Sequence, residues 1–190
     1  MDLFVNDKKF IPYISKEEIK SIIDRLASQI NLNYKNSCNF EIIIILNGAF
    51  IFASDLIKKL HNINKIHFMK VSSYQGMKST QSLKIDLDLK SNIEGKDILI
   101  IEDIIDTGYT MNTLCGILKS RNPKSLQICS FLIKPDVYVK NISKCHQINI
   151  PDNGNIKYIG KSIPNMFVIG YGLDYNDKFR ELPLVYILKS

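Results

Sequence analysis

The sequence ILIIEDIIDTGYT at residues 98–110 joins a short apolar run to two adjacent acids, a polar turn and the start of a helix. The run Ile98–Ile101 is apolar throughout, which predicts a strand that is buried on both faces of a parallel sheet. From Thr110 to Arg121 the apolar residues recur at helical spacing. This strand–turn–helix unit predicts an α/β fold whose chemistry lies at the carboxyl ends of its strands.

Strands and helices alternate along the rest of the chain. A helix from Lys16 to Asn31 is predicted by apolar residues at helical spacing and by a capping box, in which Ser15 is the N-cap and Glu18 follows three residues later. This alternation predicts an open, mainly parallel sheet that is flanked by helices and joined by right-handed crossovers. The other predicted elements are strands at Glu41–Leu46, Ile66–Val71 and Leu126–Ile133, a helix at Ala49–Leu60, and a polar, mobile loop at Ser72–Ser82.

The turn after the strand at residues 98–101 has the chemistry of a ribose 5-phosphate site. The turn DTGYT at residues 106–110 places hydroxyls and free backbone N–H groups at a helix N-terminus, which suits a phosphate. Glu102 and Asp103 suit the vicinal hydroxyls of a sugar or a divalent cation. The alternative is a strand end with solvated acids and an ordinary N-cap. We favour the sugar-phosphate interpretation because both features occur in one segment.

Three other motifs do not account for this segment. The chain has neither the GxxxxGK[ST] pattern of a P-loop nor the GxGxxG pattern of a dinucleotide-binding fold. A strand that ends in two acids also opens the receiver domain of a response regulator. In such a domain the acids lie near the N-terminus, and too few residues follow Asp103 here to complete one.

Composition and charge narrow the class of protein further. The chain has 190 residues, of which 45% are hydrophobic and 23% charged, so it can bury a core. Its net charge is +6, but all but three of its 25 basic residues are lysines and no basic run occurs. We interpret the excess as a solvated surface, and expect no nucleic-acid partner. No segment has the pattern of a signal peptide or a membrane span, and the four cysteines show no CxxC spacing, so we expect a cytoplasmic location.

Residues 98–110 resemble the 5-phosphoribosyl-1-pyrophosphate (PRPP) motif of the type I phosphoribosyltransferases. Nearly the full chain is similar to one branch of that family, the hypoxanthine and hypoxanthine-guanine phosphoribosyltransferases. The resemblance implies a single domain over residues 1–190 with the type I phosphoribosyltransferase fold. It also implies a core at about residues 15–150 and a small hood formed by residues 1–14 and 151–190.

The resemblance assigns roles to the residues of the PRPP motif. Glu102 and Asp103 would hold the ribose hydroxyls, and Asp106 would be the general acid/base near N7 of the purine. The residues implied for the 5′-phosphate are Thr107, Gly108, Tyr109 and Thr110, with Tyr109 acting through its backbone. Lys134, which follows the strand at Leu126–Ile133, would donate to O6 of the base.

The resemblance also covers the last third of the chain. Phe167 would stack on the purine and the backbone of Val168 would read its edge, although core packing is the alternative for Phe167. Asp174 would bind Mg²⁺, with Glu102 and Asp103 as further candidate ligands. The residues implied for pyrophosphate are Asn47, Gly48 and Arg180, and those implied for a lid over the site are Ser73 and Tyr74.

The chain departs from the family pattern at Asn47, because family members often have Lys or Arg before the glycine. The peptide bond that precedes this position can be cis in the family. Backbone N–H groups of this loop can still bind pyrophosphate, but the cation is missing. We therefore expect weaker binding of PRPP than in members that have the basic residue.

The resemblance implies an enzyme of purine salvage. The enzyme would transfer the 5-phosphoribosyl group from PRPP to N9 of a 6-oxopurine, namely hypoxanthine and also guanine, giving IMP or GMP and pyrophosphate with Mg²⁺ as cofactor. It would form a homodimer or homotetramer. The alternative is a non-catalytic regulator of the same fold that binds PRPP or a nucleotide. We favour the enzyme, because a regulator has no need of the base-recognition set Lys134, Phe167 and Asp174.

Overall fold

The structure, a computed structural model, describes residues 2–5, 7–75, 81–145 and 147–189 and arranges them around two β-sheets. In chain order, its elements are β1 (Leu3–Val5), β2 (Lys8–Ile14), α1 (Lys16–Tyr34), β3 (Phe40–Leu46), α2 (Phe50–Ile57), β4 (Ile63–Gln75), β5 (Gln81–Leu87), β6 (Asp97–Ile105), α3 (Tyr109–Lys119), β7 (Ser125–Ile133), α4 (Pro135–Ile142), α5 (Pro151–Gly154), β8 (Tyr158–Ser162), β9 (Val168–Ile169) and β10 (Val185–Leu188).

The larger sheet has six strands in the order β5-β4-β3-β6-β7-β8. All of its neighbouring strands are parallel except β5, which pairs antiparallel with β4. Helices cover both faces, so alternate residues of one strand enter different cores. Ile42 and Ile44 pack with α1 and α2, whereas Ile43 and Ile45 pack with α3. This two-sided burial explains the uninterrupted apolar strands and confirms the predicted fold class.

Helix α1 begins where it was predicted, and one of the two hydrogen bonds of the predicted capping box is present. The Glu18 backbone N–H donates to the Ser15 hydroxyl over 3.2 Å. The reciprocal half of the capping box is wrong, because the Glu18 carboxylate pairs instead with Lys161. A salt bridge to β8 thus replaces the local contact, and α1 continues to Tyr34.

Two boundaries differ from the sequence-based prediction in ways that matter for the site. Strand β6 pairs with β7 as far as Ile105, so Glu102 and Asp103 lie within the strand instead of beyond its end. The loop predicted at Ser72–Ser82 is wrong in most of its length, because β4 continues to Gln75 and β5 begins at Gln81. Cross-strand backbone pairing forms this hairpin without apolar periodicity. Residues 76–80 lie outside the described residues.

The smaller sheet is antiparallel and has the order β1-β2-β10-β9, which joins the two ends of the chain. Strand β8 pairs with β7 in the larger sheet, so residues 158–162 do not belong to the smaller one. The division of the chain into core and hood stays a prediction. Among the described residues, no helix is long and apolar enough to cross a membrane.

Candidate active site

A cleft of about 330 Å³ lies at the carboxyl ends of β3 and β6. Four segments that are far apart in sequence line it: the end of β3 with the following turn, Val71 of β4, the end of β6 with the turn into α3, and the segment between β9 and β10. The predicted site residues in its lining are Asn47, Gly48, Glu102, Asp103, Asp106, Thr107, Gly108, Thr110, Asp174 and Arg180. The fold therefore brings the residues implied for ribose, phosphate, pyrophosphate and metal into one place.

The floor of the cleft holds the acid pair Glu102 and Asp103. Asp103 packs so closely on Gly48 that a Cβ atom there would lie 1.6 Å from Asp103 Oδ2. The Ile104 N–H donates to Asp103 Oδ1 over 2.8 Å. Burial first, and then the negative charge of Asp103, raise the pKa of Glu102 well above its ordinary value. A ligand that brings positive charge would relieve this repulsion.

The turn between β6 and α3 has the geometry of an anion site. Gly108 is the N-cap of α3 in a left-handed conformation, with φ of 81°, and a Cβ atom there would lie 2.6 Å from the Tyr138 ring. The Tyr109 N–H donates to the Thr107 hydroxyl over 3.4 Å. The N–H groups in the first turn of a helix have no intrahelical acceptor, so they are free to bind a phosphate.

Asp106 lines the cleft, and Lys134, which is not part of the lining, pairs with it; we call this part of the cleft the base end. Strands β6 and β7 end in register at Ile105 and Ile133, so the residues that follow them are neighbours. Lys134 Nζ lies 2.7 Å from Asp106 Oδ2, and the Lys134 N–H donates to the Ile105 carbonyl over 3.0 Å. The Lys134 side chain is 11% exposed, whereas that of Asp106 is 49% exposed. The ammonium group is therefore held while the carboxylate faces the cleft.

Another part of the cleft carries Asp174, Arg180 and the turn at Asn47 and Gly48, and we call it the pyrophosphate end. Arg180 Nη2 lies 2.8 Å from Asp174 Oδ1, and Arg180 Nη1 donates to the Gly172 carbonyl over 2.9 Å. The peptide bond between Leu46 and Asn47 is cis, which confirms the expectation for this turn. The predicted cation and the predicted metal ligand thus form an ion pair.

The purine-binding candidates Phe167 and Val168 lie outside the lining of the cleft, as do Lys134 and the phosphate-binding candidate Tyr109. Phe167 is 44% exposed, so it is not a core residue. Its ring stands edge-on to those of Tyr175 and Phe10, with centroid distances of 5.7 and 6.3 Å. Val168 is buried in β9, at the edge of the smaller sheet. Tyr175, which supports Phe167, was missed in the sequence, although it directly follows Asp174.

The lid residues Ser73 and Tyr74 belong to β4, where their backbones pair with Leu83 and Ser82 of β5. A polar hairpin therefore stands where a loop was predicted. Residues 76–80 lie outside the described part of the chain, so the lid stays a prediction.

The donors in the cleft suit a divalent cation that is shared with a substrate. Among the residues that the structure describes, no group of three or more His, Cys, Asp or Glu side chains forms a preformed metal cage. Glu102 and Asp103 lie together, while Asp174 is held by Arg180. Mg²⁺ is commonly bound by one or two carboxylates plus substrate phosphates, so this arrangement fits a cation that arrives with a phosphorylated substrate.

Comparison with known proteins identifies the class that this fold and site define. The family model described as "Phosphoribosyl transferase domain" matches residues 14–176, so the chain is a phosphoribosyltransferase. It is 44% identical to a hypoxanthine phosphoribosyltransferase of Buchnera aphidicola over 174 residues, which cover 90% of this chain and 92% of that protein. It is 40% identical to a hypoxanthine-guanine phosphoribosyltransferase of Dictyostelium discoideum, with 93% of each chain covered.

A solved structure gives the same result. A crystal structure of a hypoxanthine phosphoribosyltransferase from Staphylococcus aureus superposes with a TM-score of 0.81 at 38% identity, covering 94% of this chain and 91% of that one. The chain belongs to the hypoxanthine and hypoxanthine-guanine phosphoribosyltransferase family. It is therefore an enzyme of purine salvage that uses PRPP and a purine base, and the regulator alternative falls away.

Proposed function

We propose that the base end of the cleft binds hypoxanthine or guanine and that the pyrophosphate end binds the leaving group of PRPP. The observation that carries this assignment is the Lys134–Asp106 pair, with Nζ and Oδ2 2.7 Å apart at the edge of the PRPP motif. A 6-oxopurine has O6 and N7 as neighbours on one edge. A donor and an acceptor that lie side by side match that edge.

Recognition of the base would follow from the charges of this pair. The Lys134 ammonium group is a donor only, so it pairs with a 6-oxo group and not with the 6-amino group of adenine. Asp106 accepts the proton at N7 as N9 forms its bond to the ribose. The name of the Dictyostelium relative supports guanine as a second substrate. We propose that Phe167, whose ring is exposed, stacks on the purine.

The transfer step requires charge stabilisation on the ribose and on the leaving group. N9 forms a bond to C1′ while the bond from C1′ to the pyrophosphate oxygen breaks, and pyrophosphate leaves with the electron pair. Positive charge develops on the ribose ring, and the acid pair Glu102 and Asp103 lies where it would stabilise that charge and hold the hydroxyls. The residues that would hold the 5′-phosphate are Thr107, Gly108, Tyr109 and Thr110.

The pyrophosphate end would hold the leaving group through Arg180 and through backbone N–H groups at Asn47 and Gly48. A planar guanidinium group suits a bidentate contact with phosphate. We propose Asp174, with Glu102 and Asp103, as ligands of Mg²⁺. When bound, Mg²⁺ neutralises the charge that develops on pyrophosphate.

A lid and an oligomer complete the proposal. Closure of the hairpin at Ser73 and Tyr74 would exclude water from the ribosyl centre, which water would otherwise hydrolyse.

We also propose a homodimer or homotetramer, which the exposed rings of Phe50 (46%) and Phe68 (50%) support as apolar surface for a second copy. Light scattering of wild type and Phe68→Ser tests this, and a wild-type monomer would contradict it. A cytoplasmic location and the lack of a nucleic-acid partner stay predictions.

The function is tested by following nucleotide formation from PRPP and Mg²⁺ with hypoxanthine, guanine, xanthine and adenine in parallel. We expect turnover with hypoxanthine and guanine and none with adenine. Comparable turnover with adenine would contradict the role of Lys134, and no turnover with any base would contradict the reaction. The same series ranks xanthine against the other oxopurines.

A further inference from the structure

A buried tyrosine connects two separate segments of the pyrophosphate end. The Tyr171 hydroxyl donates to Asp55 Oδ2 over 2.9 Å. Tyr171 lies between β9 and β10 and is 4% exposed, whereas Asp55 belongs to α2. The other carboxylate oxygen of Asp55 accepts from Lys58 over 3.0 Å. Neither residue lines the cleft, and the reaction as described above does not use them.

The backbone around Tyr171 orients Arg180. Tyr171 has φ of 52° and lies between Gly170 and Gly172, which also have positive φ. The Tyr171 N–H donates to the Leu182 carbonyl over 2.8 Å, and the Gly172 N–H donates to the Arg180 carbonyl over 2.9 Å. The Gly172 carbonyl accepts from the Arg180 guanidinium group. A shift at Tyr171 would therefore move both ends of Arg180.

The same segment touches the turn after β3. A Cβ atom at Gly172 would lie 2.1 Å from the Gly48 carbonyl oxygen, so the two backbones are in direct contact. Helix α2 begins two residues after Gly48 and carries Asp55. The Tyr171 ring packs on Phe131, with centroids 5.1 Å apart. The hydrogen bond from Tyr171 to Asp55 thus closes a ring of contacts around the pyrophosphate end.

We propose that Tyr171 and Asp55 are positioning residues for the pyrophosphate end of the cleft. Their hydrogen bond fixes the segment that carries Asp174 and Arg180 against the helix that follows the Asn47–Gly48 turn. The inference rests on the proposed function, since it assumes that this end binds pyrophosphate. It assigns no contact with substrate to either residue.

The test compares variants that remove the hydrogen bond with variants that keep it. Tyr171→Phe removes the donor and preserves the ring. Asp55→Leu removes the acceptor, and Asp55 is more exposed than Tyr171. Asp55→Asn keeps a carbonyl oxygen that accepts the same bond. Tyr158→Phe is the matched control, because the Tyr158 hydroxyl is also buried and accepts from Asn33 over 2.9 Å, away from the cleft. Thermal unfolding first establishes that each variant is folded.

The readouts are the affinity for pyrophosphate with Mg²⁺, by calorimetry, and the KM values for PRPP and hypoxanthine. For Tyr171→Phe and Asp55→Leu we expect both the Kd of pyrophosphate and the KM of PRPP to rise about three- to tenfold, the effect of one lost hydrogen bond. The KM of hypoxanthine should change less than twofold, and Asp55→Asn and Tyr158→Phe should behave as wild type.

Two results would overturn these inferences in different ways. If the wild type binds pyrophosphate and Tyr171→Phe and Asp55→Leu bind it equally well, or if the KM values for both substrates rise together, positioning is wrong. If the wild-type protein itself fails to bind pyrophosphate, the proposed function of this end is wrong. Asp55→Leu keeps the test decisive if Tyr171→Phe does not fold.

Discussion

The base end and the pyrophosphate end of the cleft each hold a cation against a carboxylate, but they are built differently. At the base end, Lys134 and Asp106 follow two paired parallel strands, and the Lys134 backbone bonds to the last residue of β6. At the pyrophosphate end, Asp174 and Arg180 lie on irregular backbone between two short strands of the smaller sheet. Regular pairing positions the first pair, whereas individual turns and hydrogen bonds position the second.

This difference indicates how the two ends can respond to ligands. The base end is part of the larger sheet, so its geometry is present before substrate binds. At the pyrophosphate end, Asp174 Oδ1 accepts from Arg180 and Asp174 Oδ2 accepts from the Asp177 N–H over 2.9 Å. With the proposed assignment, binding of a metal and pyrophosphate would exchange these contacts for new ones. Substitutions at the two ends should affect different steps of the reaction.

Asp106→Asn should have the largest effect on activity, and its effect should be limited to the base end. The amide cannot take the proton from N7, so we expect turnover to fall by about 100-fold, and by more than tenfold at the least. Binding of PRPP should be largely kept, because Asp106 does not contact the pyrophosphate end. Steady-state kinetics with hypoxanthine and a PRPP titration measure both. Near-normal turnover would remove the role of Asp106 as acid/base.

Gly48→Ala should weaken the binding of PRPP at the pyrophosphate end. A Cβ atom at Gly48 would lie 1.6 Å from Asp103 Oδ2, so the carboxylate must move. We expect the KM of PRPP to rise about tenfold or more, with a smaller change for hypoxanthine. Gly95→Ala is the control for the loss of a glycine, because a Cβ atom at Gly95 meets nothing within 4 Å, although its φ of +69° is positive and that of Gly48 is not. Equal effects of the two substitutions on the KM of PRPP would show that the contact with Asp103 is not responsible.

Glu102→Gln tests the acid pair at the floor of the cleft by its effect on the stability of the protein. The pKa of Glu102 is raised in the folded state above its ordinary value of 4.5, chiefly by burial. Below pH 4.5 the side chain is protonated in both states, so wild type and variant should be equally stable. As pH rises above 4.5, the unfolded wild-type chain releases this proton while the folded protein retains it, so the wild type loses stability that the variant keeps, and the loss is complete once pH passes the folded-state pKa.

We therefore expect Glu102→Gln to unfold about 2–6 °C above wild type at pH 8, and with no difference at pH 4. Activity should fall, because the ribose and Mg²⁺ lose a ligand. Glu94→Gln, at an exposed position, is the control and should change neither the unfolding temperature nor the activity. Thermal unfolding across this pH range is the measurement, and a variant that is less stable than wild type at pH 8 would refute the assignment.

Asn47→Lys should have the smallest effect, and it should strengthen PRPP binding where Gly48→Ala weakens it. A cation added at this partly exposed turn should tighten PRPP binding about two- to fivefold, and less at high salt. The KM of hypoxanthine should not change. Asn47→Gln controls for side-chain length. A PRPP titration at two salt concentrations measures the effect, and an unchanged affinity would mean that the missing cation costs nothing here.

The PRPP motif could be predicted from local sequence more fully than the pyrophosphate end. The apolar strand, the two acids and the Thr-Gly-x-Thr turn are adjacent in the chain, so their chemistry is visible there. That Lys134 meets Asp106 depends on the register of β6 and β7, and only the family resemblance suggested it.

The pyrophosphate end has no such local signal. Its backbone is left-handed at the non-glycine residues Asn176, Asp177 and Phe179, and no periodicity precedes such turns. The roles of Asp174 and Arg180 came from resemblance alone. The paired strand residues 72–75 and 81–82 were predicted as a loop for a related reason, because pairing between β4 and β5 depends on contacts that apolar spacing does not encode.

The separation of the two ends is tested most directly by titrating IMP and pyrophosphate into Lys134→Met and Arg180→Gln by calorimetry with Mg²⁺ present. We expect Lys134→Met to weaken IMP about 10- to 100-fold, the effect of losing a charged hydrogen bond, and to leave pyrophosphate within twofold. Arg180→Gln should show the reverse pattern. Equal loss of both ligands in either variant would contradict the assignment of base and leaving group to opposite ends of the cleft.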